Sequence, residues 1–253
     1  MAEKQDTHMR RFGLIGKDIS YSFSKNYFKN KFEIESIENT SYENFDLENI
    51  ILFQEKLKQE KDIKGFNVTI PYKESIMPFI DKLNKTAKAI GAVNTIKITK
   101  KGNYVGYNTD YYGFKKSLKP LLKAHHKKAL ILGTGGASKA IAYALKTLDI
   151  EYCFVSRTAS ERAKFTYNNL TDTIINSYQI IINCTPLGTF PDVDVCPNIP
   201  YQALNEKHIL FDLIYNPSET KFLRLGRQNK TSIINGEKML ELQAEKSWQI
   251  WNK

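Results

Sequence analysis

Leu130-Ile131-Leu132-Gly133-Thr134-Gly135-Gly136-Ala137-Ser138 is an apolar strand that runs straight into a glycine-rich turn. Residues 129–132 read as a clean buried strand, and residues 137–148 read as the helix that follows. Glycine lets such a turn be tight and lets the backbone approach a pyrophosphate. The helix start then offers unpaired N–H groups and the positive end of its dipole. Ser138 stands where the third glycine of Gly-x-Gly-x-x-Gly is usual. The turn is therefore a weak signal alone, and the strand and helix around it supply the weight.

The next strand outward spans residues 152–155 and ends at Ser156-Arg157-Thr158, with Arg162 further on. In NAD-binding folds an acidic residue at this point accepts from the ribose hydroxyls. A carboxylate there would repel a 2′-phosphate, whereas a guanidinium pairs with one bidentately. Two more apolar runs, 180–183 and 209–213, read as strands of the same series. A separate dinucleotide-binding domain is expected here.

The chain ahead of this domain alternates strand and helix. Strands are predicted at 11–15, 65–69, 92–98 and 104–107, the last two joined by a turn at 101–103. Helical spacing covers 25–32, 47–60, 76–83 and 86–90. A helix over 111–122, interrupted at Pro120, leads into the second series. Residues 237–251, after Gly236, read as an amphipathic helix. The fold class expected is α/β, with two α/β domains.

Among 253 residues, 42% are hydrophobic and 25% charged, ordinary globular values that allow a packed core. The net charge is +10, from 37 Lys+Arg against 27 Asp+Glu. The lysines are scattered, so a solvated surface is the plain reading and nucleic acid is not expected as a partner. An acidic substrate and a phosphorylated cofactor suit the same sign. The three cysteines, Cys153, Cys184 and Cys196, show no CxxC spacing and point to a reducing cytoplasm. No apolar run approaches the ~20 residues of a membrane helix. His8, His125, His126 and His208 have no Cys or carboxylate partners at ligand spacing, so no metal is expected. Residues 1–8 read as a leader left by a vector.

Seven motifs now fall into one order. They are Phe12-Gly13-Leu14-Ile15-Gly16 with Ser22 and Ser24; Gly65-Phe66-Asn67-Val68-Thr69-Ile70-Pro71-Tyr72-Lys73; and Gly91-Ala92-Val93-Asn94-Thr95. Gly106-Tyr107-Asn108-Thr109-Asp110, Asn183-Cys184-Thr185-Pro186-Leu187-Gly188, Asp212-Leu213-Ile214-Tyr215-Asn216-Pro217 and Gly236 through Gln243 complete the series. In this pattern the chain resembles the shikimate dehydrogenase family over nearly its whole length.

The resemblance implies an N-terminal substrate-binding domain, residues 1–110, to which a C-terminal helix returns, residues 236–253. It implies a Rossmann-like NADP-binding domain at 111–235, with the active site in the cleft between the two. The implied activity is NADPH-dependent, reversible reduction of 3-dehydroshikimate to shikimate, by a cytoplasmic monomer or homodimer with small-molecule partners only. Lys73 and Asp110 carry over as the catalytic pair. Ser22, Ser24, Thr69, Asn94, Asp110 and Gln243 carry over as substrate ligands. Gly133, Thr134, Gly135, Gly136, Ala137, Ser156, Arg157, Thr158, Leu213 and Gly236 carry over as cofactor contacts, with Arg162 as a second guanidinium for the phosphate. The chain departs from the family at Tyr21 (usually His), Lys25 (usually Pro), Ser156 (usually Asn) and Thr189 (usually Met). Its stretch 162–178 is short for the family.

Reducing a ketone needs a hydride and a proton for the developing alkoxide. Lysine suits the second task, because its ammonium also stabilises the negative charge as it forms. Each residue also has an ordinary reading. Lys73 would be solvated, Asp110 a helix cap, Ser22 and Ser24 loop serines, and Arg157 a surface charge. Asn67 and Asn94 would satisfy backbone, and Met239 and Gln243 would be helix packing. An NAD-dependent quinate or shikimate dehydrogenase and a non-catalytic shikimate binder remain as alternatives. Arg157 argues against the first, and the pair Lys73 and Asp110 against the second.

Overall fold

The computed structural model describes residues 9–20, 22–60 and 62–253. The leader expected at 1–8 and the departure at Tyr21 lie outside the described residues. By internal contacts the chain groups into two units. One runs to Thr109 and takes in Ala244–Lys253; the other is Asp110–Gln243. Residues 236–243, which the sequence division grouped with the first domain, thus pack with the second.

The first unit is built from β1 (Arg10–Gly16), α1 (Phe23–Ile34), β2 (Thr40–Asp46), α2 (Leu52–Gln59), β3 (Ile63–Val68), β4 (Lys82–Leu83), α3 (Lys85–Ile90), β5 (Thr95–Ile98) and β6 (Tyr104–Tyr107). Its sheet has the order β2-β1-β3-β5-β6-β4. β1 is parallel to β2 and β3, while β5 runs antiparallel to β3 and β6. Alternation along β1 sends Phe12 and Leu14 into one core with Phe28, Tyr42 and Trp251, and Ile15 into another with Phe66, Val68 and Ile96. Both faces of the sheet are therefore covered.

Three sequence expectations fail here. Residues 76–83 are not helical: Pro78 sits in a single 3-10 turn, Met77–Phe79, and Ile80 is already extended. Lys82 and Leu83 then pair with β6, and the Asp81 carboxylate accepts from Tyr104 N–H at 2.7 Å. Proline removes the donor a longer helix would need. Residues 92–94 are not strand but loop, because Val93 N–H turns to the Lys73 carbonyl at 2.7 Å. The helix expected over 47–60 begins only at Leu52, since Leu47 N–H is bound by Gly16 O.

The second unit contains α4 (Asp110–Leu118), β7 (Lys128–Leu132), α5 (Gly136–Lys146), β8 (Glu151–Ser156), β9 (Phe165–Thr166), α6 (Asp172–Ser177), β10 (Ile180–Asn183), β11 (Ile209–Asp212), α7 (Lys221–Gln228), β12 (Ser232–Ile234) and the start of α8 (Glu237–Trp251). The sheet order is β12-β11-β10-β7-β8-β9, with every pair parallel. From β7 the chain goes outward through β8 and β9, then returns to place β10 on the other side of β7. That reversal puts the turn after β7 at the sheet's switch point, where open α/β sheets bind ligands beyond their strands' carboxyl ends. Leu130, Ile131, Leu132, Ile180, Ile181 and Ile182 are fully buried at its centre.

Candidate active site

Four strands of the second unit end at one edge and carry the residues expected to meet the cofactor. Main-chain bonds tie those ends together: Gly133 N–H donates to Val155 O at 2.8 Å, Cys184 N–H to Leu132 O at 2.9 Å, and Leu213 N–H to Asn183 O at 3.1 Å. Gly133 has φ +98°, a left-handed backbone that favours glycine. α5 opens at Gly136 with Gly135 as its cap and no side-chain hydrogen bond to the helix start. A side chain added at Gly135 would meet nothing within 4 Å. Uncapped N–H groups beside open space suit an anion such as a pyrophosphate.

Arg157 and Thr158 are exposed just past β8. Ser156 gives its hydroxyl proton to Thr158 O, so it shapes this turn. Residues 157–164 hold no helix. Arg162 therefore lies in a loop. Its guanidinium donates to Thr134 O at 3.2 Å and sits 4.5 Å over the Phe154 ring. The structure thus brings Arg162 to the glycine turn.

Leu213 and Gly236 are also brought together, since Gly236 N–H donates to Ile214 O at 2.9 Å. A buried carboxylate underlies this turn. Asp212 accepts from Asn183 Nδ2 at 3.0 Å, Ile214 N–H at 3.1 Å and the Thr220 hydroxyl at 2.6 Å. Burial pushes its carboxyl up to about 6, against the pull of those three donors.

In the first unit Ser22 caps α1, accepting from Lys25 N–H at 3.3 Å, and Ser24 is buried as the helix's second residue. Lys73 is half-buried on a loop fixed from both sides. Its carbonyl accepts from Val93 N–H, and the neighbouring Tyr72 hydroxyl donates to Leu47 O at 2.5 Å. Thr69 is pinned by its N–H to Ile15 O at 2.9 Å. Asn94 is buried one residue past Val93, its Oδ1 taking Thr109 N–H at 2.6 Å.

Asp110 and Gln243 are buried in the second unit. Asp110 is the first residue of α4, where a carboxylate suits the positive end of the helix. Gly113, one turn on, lies against α8: a Cβ there would be 2.4 Å from Met239 O and 3.2 Å from Gln243 N. Gly→Ala in an open helix stabilises by roughly 0.5–1 kcal/mol. Here backbone blocks the methyl, so Gly113→Ala should cost about 1–3 kcal/mol, as overpacking does. The urea midpoint would fall; a rise would mean the helices separate freely.

Residues 14–96 match the family model for the shikimate dehydrogenase substrate binding domain. A shikimate dehydrogenase (NADP(+)) of Clostridium botulinum is 39% identical over 249 residues, which cover 94% of this chain and 95% of that protein. The chain belongs to the shikimate dehydrogenase family. Two solved members align with it. Shikimate dehydrogenase 1 of Peptoclostridium difficile is 39% identical with TM-score 0.83, covering 96% of this chain and 92% of its own. Shikimate 5-dehydrogenase of Thermus thermophilus, in complex with NADP(H) and shikimate, is 28% identical with TM-score 0.85, covering 96% and 93%.

For a shikimate dehydrogenase, the polar residues that sequence reading passed over are those behind the expected ligands. Tyr42, Thr95 and Ser247 are buried in the first unit and Thr220 in the second. Ser, Thr and Tyr give no periodic or spacing signal that separates a buried hydroxyl from a surface one. Among the described residues, no group of three or more His, Cys, Asp or Glu could hold a metal ion.

Proposed function

We propose that the protein reduces the ketone of 3-dehydroshikimate to the alcohol of shikimate, reversibly, with NADP as cofactor. The observation that carries this reading is the end-to-end match to an enzyme named shikimate dehydrogenase (NADP(+)), spanning 94% of the chain. The order of the second sheet and the open glycine turn at its switch point support the cofactor assignment. The first unit is assigned to the substrate and the second to NADP.

When bound, NADPH supplies the hydride. The backbone of Gly133, Thr134, Gly135, Gly136 and Ala137 holds the pyrophosphate, while Arg157 and Thr158 take the 2′-phosphate, with Arg162 adding charge beside the turn. Leu213 and Gly236 line the cofactor further along the same edge. Ser22, Ser24, Thr69, Asn94 and Gln243 bind the carboxylate and ring hydroxyls of the substrate. Lys73 gives its proton to the oxygen of the reduced ketone and stabilises charge there as it develops. Asp110 orients Lys73 and accepts from a substrate hydroxyl. In the oxidising direction Lys73 takes that proton back.

A cytoplasmic location belongs to the same reading, in line with three free cysteines. The partners proposed are small molecules, without nucleic acid or membrane, and the protein acts as a monomer or homodimer. Mixing it with shikimate and NADP should raise the absorbance of the reduced nicotinamide. A response only to quinate with NAD would replace this reading, and no response to either would leave a binding protein.

A further inference from the structure

A hydrogen-bond chain runs through the interior of the first unit. It begins at Tyr42 on β2, whose hydroxyl donates to Asn67 Oδ1 at 2.9 Å. Asn67 Nδ2 donates to Ser247 Oγ at 2.9 Å. Ser247 Oγ in turn lies 2.8 Å from Thr95 Oγ1 and 3.2 Å from Thr109 Oγ1. Thr109 closes on Asn94: its N–H donates to Oδ1 at 2.6 Å, and its hydroxyl accepts from Nδ2 at 3.0 Å. Tyr42, the most exposed of these residues, shows only 6% of its surface.

One end of the chain, Asn94, is assigned above to the substrate, and none of the other members is. We propose that Ser247 and Tyr42 are positioning residues for substrate binding, Ser247 setting the amide of Asn94 through Thr109 and Tyr42 holding Ser247 through Asn67. The inference rests on the functional reading of the preceding section.

The chemistry of each link supports it. An asparagine amide has two orientations that differ only in which of N and O faces a partner. Thr109 N–H can only donate, so it selects the one with Oδ1 facing it and Nδ2 turned away. The Thr109 hydroxyl that receives Nδ2 is itself held by Ser247. At the other end, the Tyr42 proton goes to Asn67 Oδ1, which leaves Asn67 Nδ2 to donate to Ser247. Apolar residues of the same shape would be about as stable in this core. What they could not supply is a fixed direction for the Asn94 amide, on the loop before β5.

The test is steady-state kinetics of the intact chain with shikimate and NADP each varied. Tyr42→Phe and Ser247→Ala should each raise the KM for shikimate about three- to tenfold, the worth of one buried hydrogen bond, with kcat and the KM for NADP nearly unchanged. If Tyr42 acts through Ser247, the double variant Tyr42→Phe/Ser247→Ala should match Ser247→Ala alone. Should Tyr42→Phe fail to fold, Ser247→Ala carries the test by itself. A lowered unfolding midpoint with an unchanged KM for shikimate would show a network that only supports the fold, and additive effects in the double variant would equally overturn the proposal. An active wild type with unaffected variants sinks the proposal alone. A wild type that does not turn over shikimate sinks the functional reading, and the proposal with it.

Discussion

Lys73→Met is expected to lower kcat by about 10²–10⁴-fold, the usual contribution of a positioned acid or base. The KM for shikimate should move far less, because the lost interaction forms mainly in the transition state. The fold should survive the change. The main chain at Lys73 is held by the Val93 N–H, and the adjacent Tyr72 is anchored through Leu47 O, so neither support involves the amine. Methionine keeps much of the stem that Lys73, half-buried, packs against its surroundings. A pre-steady-state measurement of hydride transfer would place the loss on the chemical step. A large rise in KM at unchanged kcat would recast Lys73 as a binding group. Asp110→Asn should also lower kcat. If the two residues act as a unit, the double variant should lose little beyond Lys73→Met.

The parallel core of the second unit was legible because its strands are continuous apolar runs, as β7 and β10 show. The strand order was not legible. Nothing in residues 180–183 says that they return to the far side of β7. That follows from where the chain crosses, which no local pattern records. β2 was missed for a different reason. Thr40, Ser41, Glu43, Asn44 and Asp46 surround its one buried residue, Tyr42, so no apolar alternation survives. Its pairing with β1 over seven residues replaces the missing pattern with backbone bonds. α6, α7 and β12 are short and offered too few residues for a period to emerge.

The site was legible in its expected ligands and opaque behind them. Motif order singled out Asn94, but the residues of the network behind it lie on β2, β3 and α8, up to 180 positions apart in the Asn67–Ser247 link. Contacts of that separation follow only from the tertiary fold. Sequence reading supplied Arg162 only as a second guanidinium past β8; the fold adds that Phe154 and Thr134 O hold it over the glycine turn from a loop. A guanidinium can stack and donate at once, which makes such a position stable without regular structure.

Arg157→Ala is expected to weaken NADP strongly and to leave NAD nearly unchanged. The 2′-phosphate is the only chemical difference between the two cofactors, so any group that tells them apart must read that phosphate. Arg157 stands exposed one residue past β8, where NAD-selective folds place a carboxylate, and the two residues flanking it are Ser156 and Thr158. A charge-assisted pair to phosphate is worth about 1.5–3 kcal/mol. At about 1.4 kcal/mol per decade, that is roughly 10- to 150-fold in affinity. Arg162 should add less, because its guanidinium is already engaged by Thr134 O and the Phe154 ring. Ser156 should add little directly, since its proton goes to Thr158 O. The loss in Arg157→Ala should shrink at high salt, because ions screen an exposed charge. The measurement is kcat/KM for both cofactors in wild type and variant, at low and high ionic strength. An equal loss with NAD and NADP would mean that Arg157 supports the adenosine side of the site whatever its phosphate, and selectivity would then have to come from the loop at 158–164.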